Sequence, residues 1–264
     1  MTAPPTGRRI AFFGGSFDPP HLGHLAIARA ARDAFQLDAV LFAPVGAQPL
    51  KPEGSSASFV DRLAMTRLAI EGQPHFEVSL ADAPKSPDDR GAKPNYTPNY
   101  TIDTLDLLRS ELKPNSTLYC LMGADAFFGL RRWHRAAEIP YAAALIVASR
   151  PVASGPGQSL DELTSALPPG LTLEPSSAGD RSESGIEVRA FFIVNPAGER
   201  APFYVLPGLD VEISASDIRE AIRKAGPLAS SVEASKGAEP GSKPVQTMLP
   251  TAVAEYIRAN GLYR

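Results

Sequence analysis

Over its first 150 residues the chain alternates short apolar runs with segments long enough to be helices, and few folds accommodate that alternation. Ile10–Phe13, Ala39–Ala43, His75–Val78, Thr117–Met122 and Ala142–Ala148 read as buried strands. Between them, Leu22–Phe35, Phe59–Ile70, Ile102–Leu112 and Asp125–Arg131 read as helices. Helical spacing places Leu22, Leu25, Ala26 and Arg29 on one stripe of the first helix, and Phe59, Leu63, Thr66 and Ile70 on one stripe of the second. Strands separated by helices form βαβ units, so the expected fold is a doubly wound α/β domain with a mostly parallel sheet.

The second half is less regular. A short helix is expected at Leu160–Leu167, a strand at Ile186–Val194, strand character at Tyr204–Leu206, and helices at Ser216–Lys224 and Thr251–Asn260. Between residues 151 and 203, Pro, Gly and Ser clusters and dispersed acids suggest a solvated elaboration, an insert within one domain spanning 1–264. Of the residues from Gly226 to Pro244, 13 are Gly, Pro, Ser or Ala, the chemistry of a flexible loop. A net charge of −3 removes the electrostatic case for general nucleic-acid binding. Cys120 is the only cysteine, which excludes an intrachain disulfide framework and a cysteine-built zinc site. The start of the chain lacks an apolar leader core, and the longest strongly apolar run, Tyr141–Ala148, is too short to span a bilayer. A soluble, cytoplasmic protein without a membrane partner is therefore expected.

The chemistry concentrates in GGSFDPPHLGH, Gly14 to His24, directly after the first strand. Ligands of open α/β sheets bind at the carboxyl ends of strands. Gly14 and Gly15 let backbone amides approach a ligand closely, and Pro19 and Pro20 stiffen the turn. The following helix is expected to aim its free amides at the same place, which favours an anion. His21 and His24, three residues apart, share a face of its first turn. Together these features suggest a polyphosphate site. Zinc binding by the two histidines lacks a third ligand pattern, and a pair of ordinary surface histidines poorly explains their place inside this turn. The chain contains no GxGxxG, no GxxxxGK[ST] and no GxSxG sequence, which disfavours dehydrogenases, P-loop proteins and α/β-hydrolases.

GGSFDPPHLGH resembles the signature of the HxGH nucleotidyltransferases, and Ile213-Ser214-Ala215-Ser216-Asp217-Ile218-Arg219 resembles their second signature, I-S-S-T-x-I-R. Tyr100-Thr101-Ile102-Asp103-Thr104-Leu105, Gly123-Ala124-Asp125 with Trp133, Asp61-Arg62 with Met65, and the tail from Leu249 to Tyr263 are similar to the nicotinate-nucleotide adenylyltransferase subfamily. Two departures stand out. Leu50 occupies the place of a family histidine in Pro49-Leu50-Lys51, and Ala215 and Ser216 replace a serine and a threonine, with Ser216 expected to cap the helix.

The resemblance implies a Rossmann-like nucleotidyltransferase fold and adenylyl transfer from ATP to nicotinate mononucleotide, giving deamido-NAD and pyrophosphate. It implies His21, His24 and Arg219 as catalytic, and Gly14, Gly15, Ser16, Phe17, Gly123, Asp125, Ser214 and Ser216 as further ATP contacts. For nicotinate mononucleotide it implies Lys51, Tyr100, Thr101, Trp133 and His134, with Trp133 stacking on the pyridine ring. Mg²⁺ is expected on the ATP phosphates without a protein ligand. The anionic nucleophile needs no general base, so alignment and charge neutralisation are what the protein must supply. Asp18 is expected to hold the turn, and Cys120 to be inert. Two other readings stay open: a related HxGH transferase acting on nicotinamide mononucleotide or phosphopantetheine, and a non-catalytic nucleotide-binding regulator.

Overall fold

The computed structural model describes residues 7–50, 54–85, 97–149, 159–176, 181–183, 185–209, 213–225 and 247–264. Five strands fall on the five apolar runs: β1 (Arg9–Gly15), β2 (Ala39–Pro44), β3 (Phe76–Val78), β4 (Thr117–Gly123) and β5 (Ala144–Ala148). Four more follow: β6 (Thr172–Pro175), β7 (Arg181–Glu183), β8 (Ile186–Val194) and β9 (Arg200–Leu206). The sheet runs β3-β2-β1-β4-β5-β9-β8-β6, with β7 paired to β8. From β3 to β9 all neighbours are parallel, whereas β8 is antiparallel to β9, β6 and β7.

Successive side chains of a strand face opposite sides, and the sheet is covered on both. Ile10 and Phe12 of β1, Cys120 of β4 and Leu145 of β5 pack with Ile102 and Leu105 of α3 (Thr101–Glu111) and Ile139 of α5 (Ile139–Ala142). The alternate residues Ala11, Phe13, Leu121 and Ile146 pack with α1 (Leu22–Phe35), α2 (Phe59–Ile70), α7 (Ala215–Ala225) and α8 (Thr251–Ala259). This is the doubly wound architecture expected from the sequence.

Several local expectations need correction. In α1 the buried stripe is Leu25, Ala28, Ala31, Ala34 and Phe35, while Arg29 is exposed. Alanine is small enough to let the helix backbone lie against the sheet, and apolar spacing alone did not reveal which side would do so. In α2 the stripe is likewise rotated, burying Arg62, Met65, Thr66, Ala69 and Ile70 and leaving Phe59 and Leu63 half-buried. The expected helix Asp125–Arg131 is α4 (Ala124–Phe128) followed, after Gly129, by a 3-10 turn at Leu130–Arg132. Ala142 closes α5 rather than opening β5.

The described part of 151–203 is more than solvated surface. Leu163 of α6 (Leu160–Ala166), Val188, Phe191 and Ile193 are buried, and β8 and β6 extend the sheet. The segment expected as a flexible loop, 226–244, lies outside the described residues.

Candidate active site

α1 leaves β1 for one face of the sheet, and α4 leaves β4 for the other, joining the core that contains Phe127. Neighbouring strands whose connections part in this way open a crevice at their carboxyl ends. A cleft of about 620 Å³ lies there. It is lined by Gly14, Gly15, Ser16, Phe17, His21, His24, Gly123, Asp125, Ser214, Ser216 and Arg219, and also by Tyr100, Thr101, Trp133 and His134. Every described site residue named from the sequence thus meets in one place. Lys51 lies outside the described residues. Leu50, in the place of the family histidine, also lines the cleft and is 44% exposed.

The loop after β1 is held from several sides. A side chain at Gly14 would meet the Phe12 ring at 2.6 Å, so glycine is needed there for close packing. One at Gly123 would meet nothing, so that glycine faces the open cleft. Phe17 has a positive φ of 46°, a strained state for a residue with a side chain. Its ring is 1% exposed and packs among Phe13, Phe42 and His24, which compensates the strain. The buried Asp18 carboxylate accepts from the amides of Ser56 at 2.6 Å and Ala57 at 3.0 Å, and from the Tyr263 hydroxyl at 2.7 Å. Asp18 therefore holds the turn, as expected.

Arg62 lies behind the cleft lining and supports it in a role the sequence did not disclose. At 2% exposure it donates through Nη1 to the Ser16 carbonyl at 2.7 Å and through Nη2 to the Val45 carbonyl at 2.8 Å. It thereby ties the end of β1 to the end of β2. Burial lowers its pKa, an effect opposed by Asp18 and then Tyr263. A charged residue on a helix reads as solvated surface in sequence, and only the tertiary fold turns it inward. Tyr263 was visible in the tail similarity, but nothing local predicted its reach to Asp18.

His21 is the N-cap of α1, and His24 sits three residues into the helix. The His21 amide donates to His24 Nδ1 at 3.2 Å. Burial, and then the neighbouring His21, hold the His24 pKa well below the usual histidine value. The α1 amides are less available than expected: Leu22 donates to the Met248 carbonyl at 2.9 Å and His24 to the His21 carbonyl at 2.9 Å. On α7, Ser214 rather than Ser216 is the cap, accepting the Asp217 amide at 3.1 Å. Ser216 instead accepts from Arg219 Nη2 at 3.1 Å, while Arg219 Nη1 donates to the Asp18 carbonyl at 2.7 Å. Arg219 Nε is buried with no hydrogen-bond partner among the described residues.

The other wall is aromatic. The Tyr100 and His134 rings are in contact, with centroids 4.2 Å apart and planes inclined by 31°, and half-buried Tyr100 and Trp133 pack against the core that contains Ile102 and Leu105 of α3. Asp82, beside them in the cleft, accepts the Thr104 hydroxyl at 2.8 Å. Burial raises its pKa, partly offset by that bond and by Lys85. The Cys120 thiol on the wall is pushed up to about 12 by burial and then by Asp82, so it stays protonated. Among the described residues no group of three or more His, Cys, Asp or Glu side chains could hold a metal ion, and no helix is long and apolar enough to cross a membrane.

The sequence model of the cytidylyltransferase-like family matches residues 12–221, which contain both walls of the cleft. A probable nicotinate-nucleotide adenylyltransferase of Gloeobacter violaceus is 38% identical over 196 residues, 74% of this chain and 89% of the relative. Another, from a Roseiflexus species, is 34% identical over 255 residues, 97% of this chain and 98% of the relative. The fold is also that of the Plasmodium falciparum nicotinic acid mononucleotide adenylyltransferase complexed with NaAD, at 16% identity, a TM-score of 0.60 and 97% coverage of both chains. The chain thus belongs to the cytidylyltransferase-like proteins and, among them, to the nicotinate-nucleotide adenylyltransferase family.

Proposed function

We propose that the chain transfers the adenylyl group of ATP to nicotinate mononucleotide. An oxygen of the mononucleotide phosphate attacks the α-phosphorus, and the bond to the leaving pyrophosphate breaks. Deamido-NAD is formed. The observation that carries this reading is a single cleft joining a wall of donors, His21, His24 and Arg219, to a wall of rings, Tyr100, Trp133 and His134.

The donor wall suits a triphosphate. His24 accepts at Nδ1, so its proton is on Nε2, which is left as a donor. Arg219 brings a buried Nε and a fork already oriented by Asp18 and Ser216. Arg219 would neutralise charge moving onto pyrophosphate, and His21 and His24 would stabilise it as hydrogen-bond donors. Gly14, Gly15, Ser16 and Phe17 would approach ATP through backbone, Ser214 and Ser216 from the start of α7, and Gly123 and Asp125 from the end of β4. Tyr100, Thr101 and His134 would contact the nicotinate part, with Trp133 against its ring, and Lys51 would reach the mononucleotide. Residues arranged to bind phosphates fit Mg²⁺ carried on phosphate oxygens, where the ion supplies charge neutralisation. We read 1–264 as one nucleotidyltransferase domain with 151–203 as an insert, and place it in the cytoplasm, where ATP is made available.

The test is pyrophosphate release by purified protein given ATP, Mg²⁺ and either nicotinate or nicotinamide mononucleotide. Release with nicotinamide mononucleotide alone, or with neither acceptor, would overturn the reading.

A further inference from the structure

The C-terminal segment touches the phosphate loop from a distance that no local pattern explains. The Met248 carbonyl takes the first amide of α1, the Tyr256 hydroxyl donates to Asp61 Oδ1 at 3.0 Å, and the Tyr263 hydroxyl donates to Asp18 Oδ1 at 2.7 Å. Of these, the bond from Tyr263 leads to the chemistry. Asp18 is the residue whose carbonyl receives Arg219 Nη1, and it follows the strained Phe17. Its two carboxylate oxygens are filled by Ser56, Ala57 and Tyr263, which fixes the direction in which its carbonyl points.

We infer that Tyr263 is a positioning residue for Arg219, acting through Asp18 to set the guanidinium against the ATP phosphates. Tyr263 lies outside the residues lining the cleft and touches no reacting atom. Its phenol is kept protonated by burial and by the adjacent Asp18 carboxylate, so it stays a donor across the range in which the protein would work. A phenol donor to a carboxylate is among the stronger hydrogen bonds, and losing it gives the Asp18 carbonyl freedom to turn away from Arg219. This inference rests on the proposed placement of ATP on the His21–Arg219 wall.

Tyr263→Phe keeps the ring and removes only the donor. Calorimetric titration with Mg·ATP is expected to show affinity weakened by about 3–10-fold. In turnover, KM for ATP should rise by a similar factor while KM for nicotinate mononucleotide stays within twofold. Tyr256→Phe, which loses a bond to α2 instead, controls for general loosening and should leave ATP affinity unchanged. Asp18→Asn weakens the same acceptor and gives a second route to the same selective loss if Tyr263→Phe does not fold. Unchanged ATP affinity in the variant that folds would overturn the inference, and so would an equal loss in Tyr256→Phe. ATP binding by a wild-type protein that releases no pyrophosphate would sink the adenylyl-transfer reading while leaving this inference open to the same titration. A wild type that binds no ATP would remove both.

Discussion

The imidazole rings of His21 and His24 lie 3.7 Å apart between centroids, inclined by 32°, with the His21 amide bonded to His24 Nδ1. That bond fixes the tautomer of His24 and leaves Nε2–H as a donor while the ring is neutral. A preorganised donor of this kind typically contributes about 10²–10³-fold to turnover, so His24→Ala should lose that much kcat. Thermal unfolding should change little. Near-normal turnover at saturating ATP would remove His24 from the proposed role.

The same histidine predicts a pH dependence of stability. Its folded-state pKa is depressed by burial and by His21, whereas an unfolded histidine titrates near 6.5, at about the ordinary value. As pH falls through about 6.5 the unfolded chain takes the proton first, so stability is lost until the folded pKa is reached. His24→Asn cannot show this loss. Between pH 8 and pH 5 the midpoint of thermal unfolding should fall more steeply in the wild type than in the variant. Parallel curves would mean that His24 is solvated in the folded state.

Arg219→Lys should damage turnover more than a retained positive charge would suggest. The guanidinium bonds Asp18 and Ser216 through two separate nitrogens and still has Nε buried, whereas an ammonium carries all its donors on one atom and cannot span these positions as a planar fork does. The expected kinetic signature is a raised KM for ATP together with a lower kcat. Wild-type constants would place Arg219 outside the phosphate site.

Arg62→Met tests the clip beneath the loop. The variant leaves the Ser16 and Val45 carbonyls without their donors, at about 1–3 kcal/mol each, and removes a desolvated charge, which returns part of that. A net destabilisation of about 2–4 kcal/mol is expected in denaturant unfolding. No change would show that the two carbonyls find other partners.

Substrate choice follows from the aromatic wall. If Tyr100, Thr101 and backbone donors beside Trp133 converge on the ring carboxylate, an amide in its place leaves donors facing an NH₂ group. One or two such mismatches, at about 1–3 kcal/mol each, give roughly 10–10⁴-fold discrimination in kcat/KM. Trp133→Ala should narrow the ratio by placing the ring less well. Equal kcat/KM for the acid and the amide would refute the carboxylate pocket without touching adenylyl transfer.

What the sequence disclosed and what it hid divide along physical lines. β1 and the α1 start were legible because an apolar run, two glycines, two prolines and two histidines each act locally. The buried stripe of α1 was not, because alanines carry little apolar contrast and the sheet decides which of them it covers. Ser214 and Ser216 both suit a helix start, and only the backbone showed that Ser214 caps while Ser216 turns to Arg219. Arg62 and Tyr263 lay in segments that resembled the family, but their partners, like that of Asp82, are distant in sequence, so no spacing rule could assign their bonds. β6 and β7 are short strands between Pro and Gly clusters, and their pairing with β8 rather than their own residues makes them strands.

Cys120 gives the chain a built-in clock for opening. With its thiol pushed up to about 12 and its side chain buried in the cleft wall, the sulfur stays protonated and unreactive while the chain is folded. A maleimide or disulfide reagent therefore reacts when β4 is uncovered. Because this is the only sulfhydryl in the sequence, the labelling rate counts openings of one central strand without interference. Ligands that fill the cleft should slow that clock in proportion to how tightly they bind, so thiol labelling can rank nucleotides and inhibitors without any turnover assay.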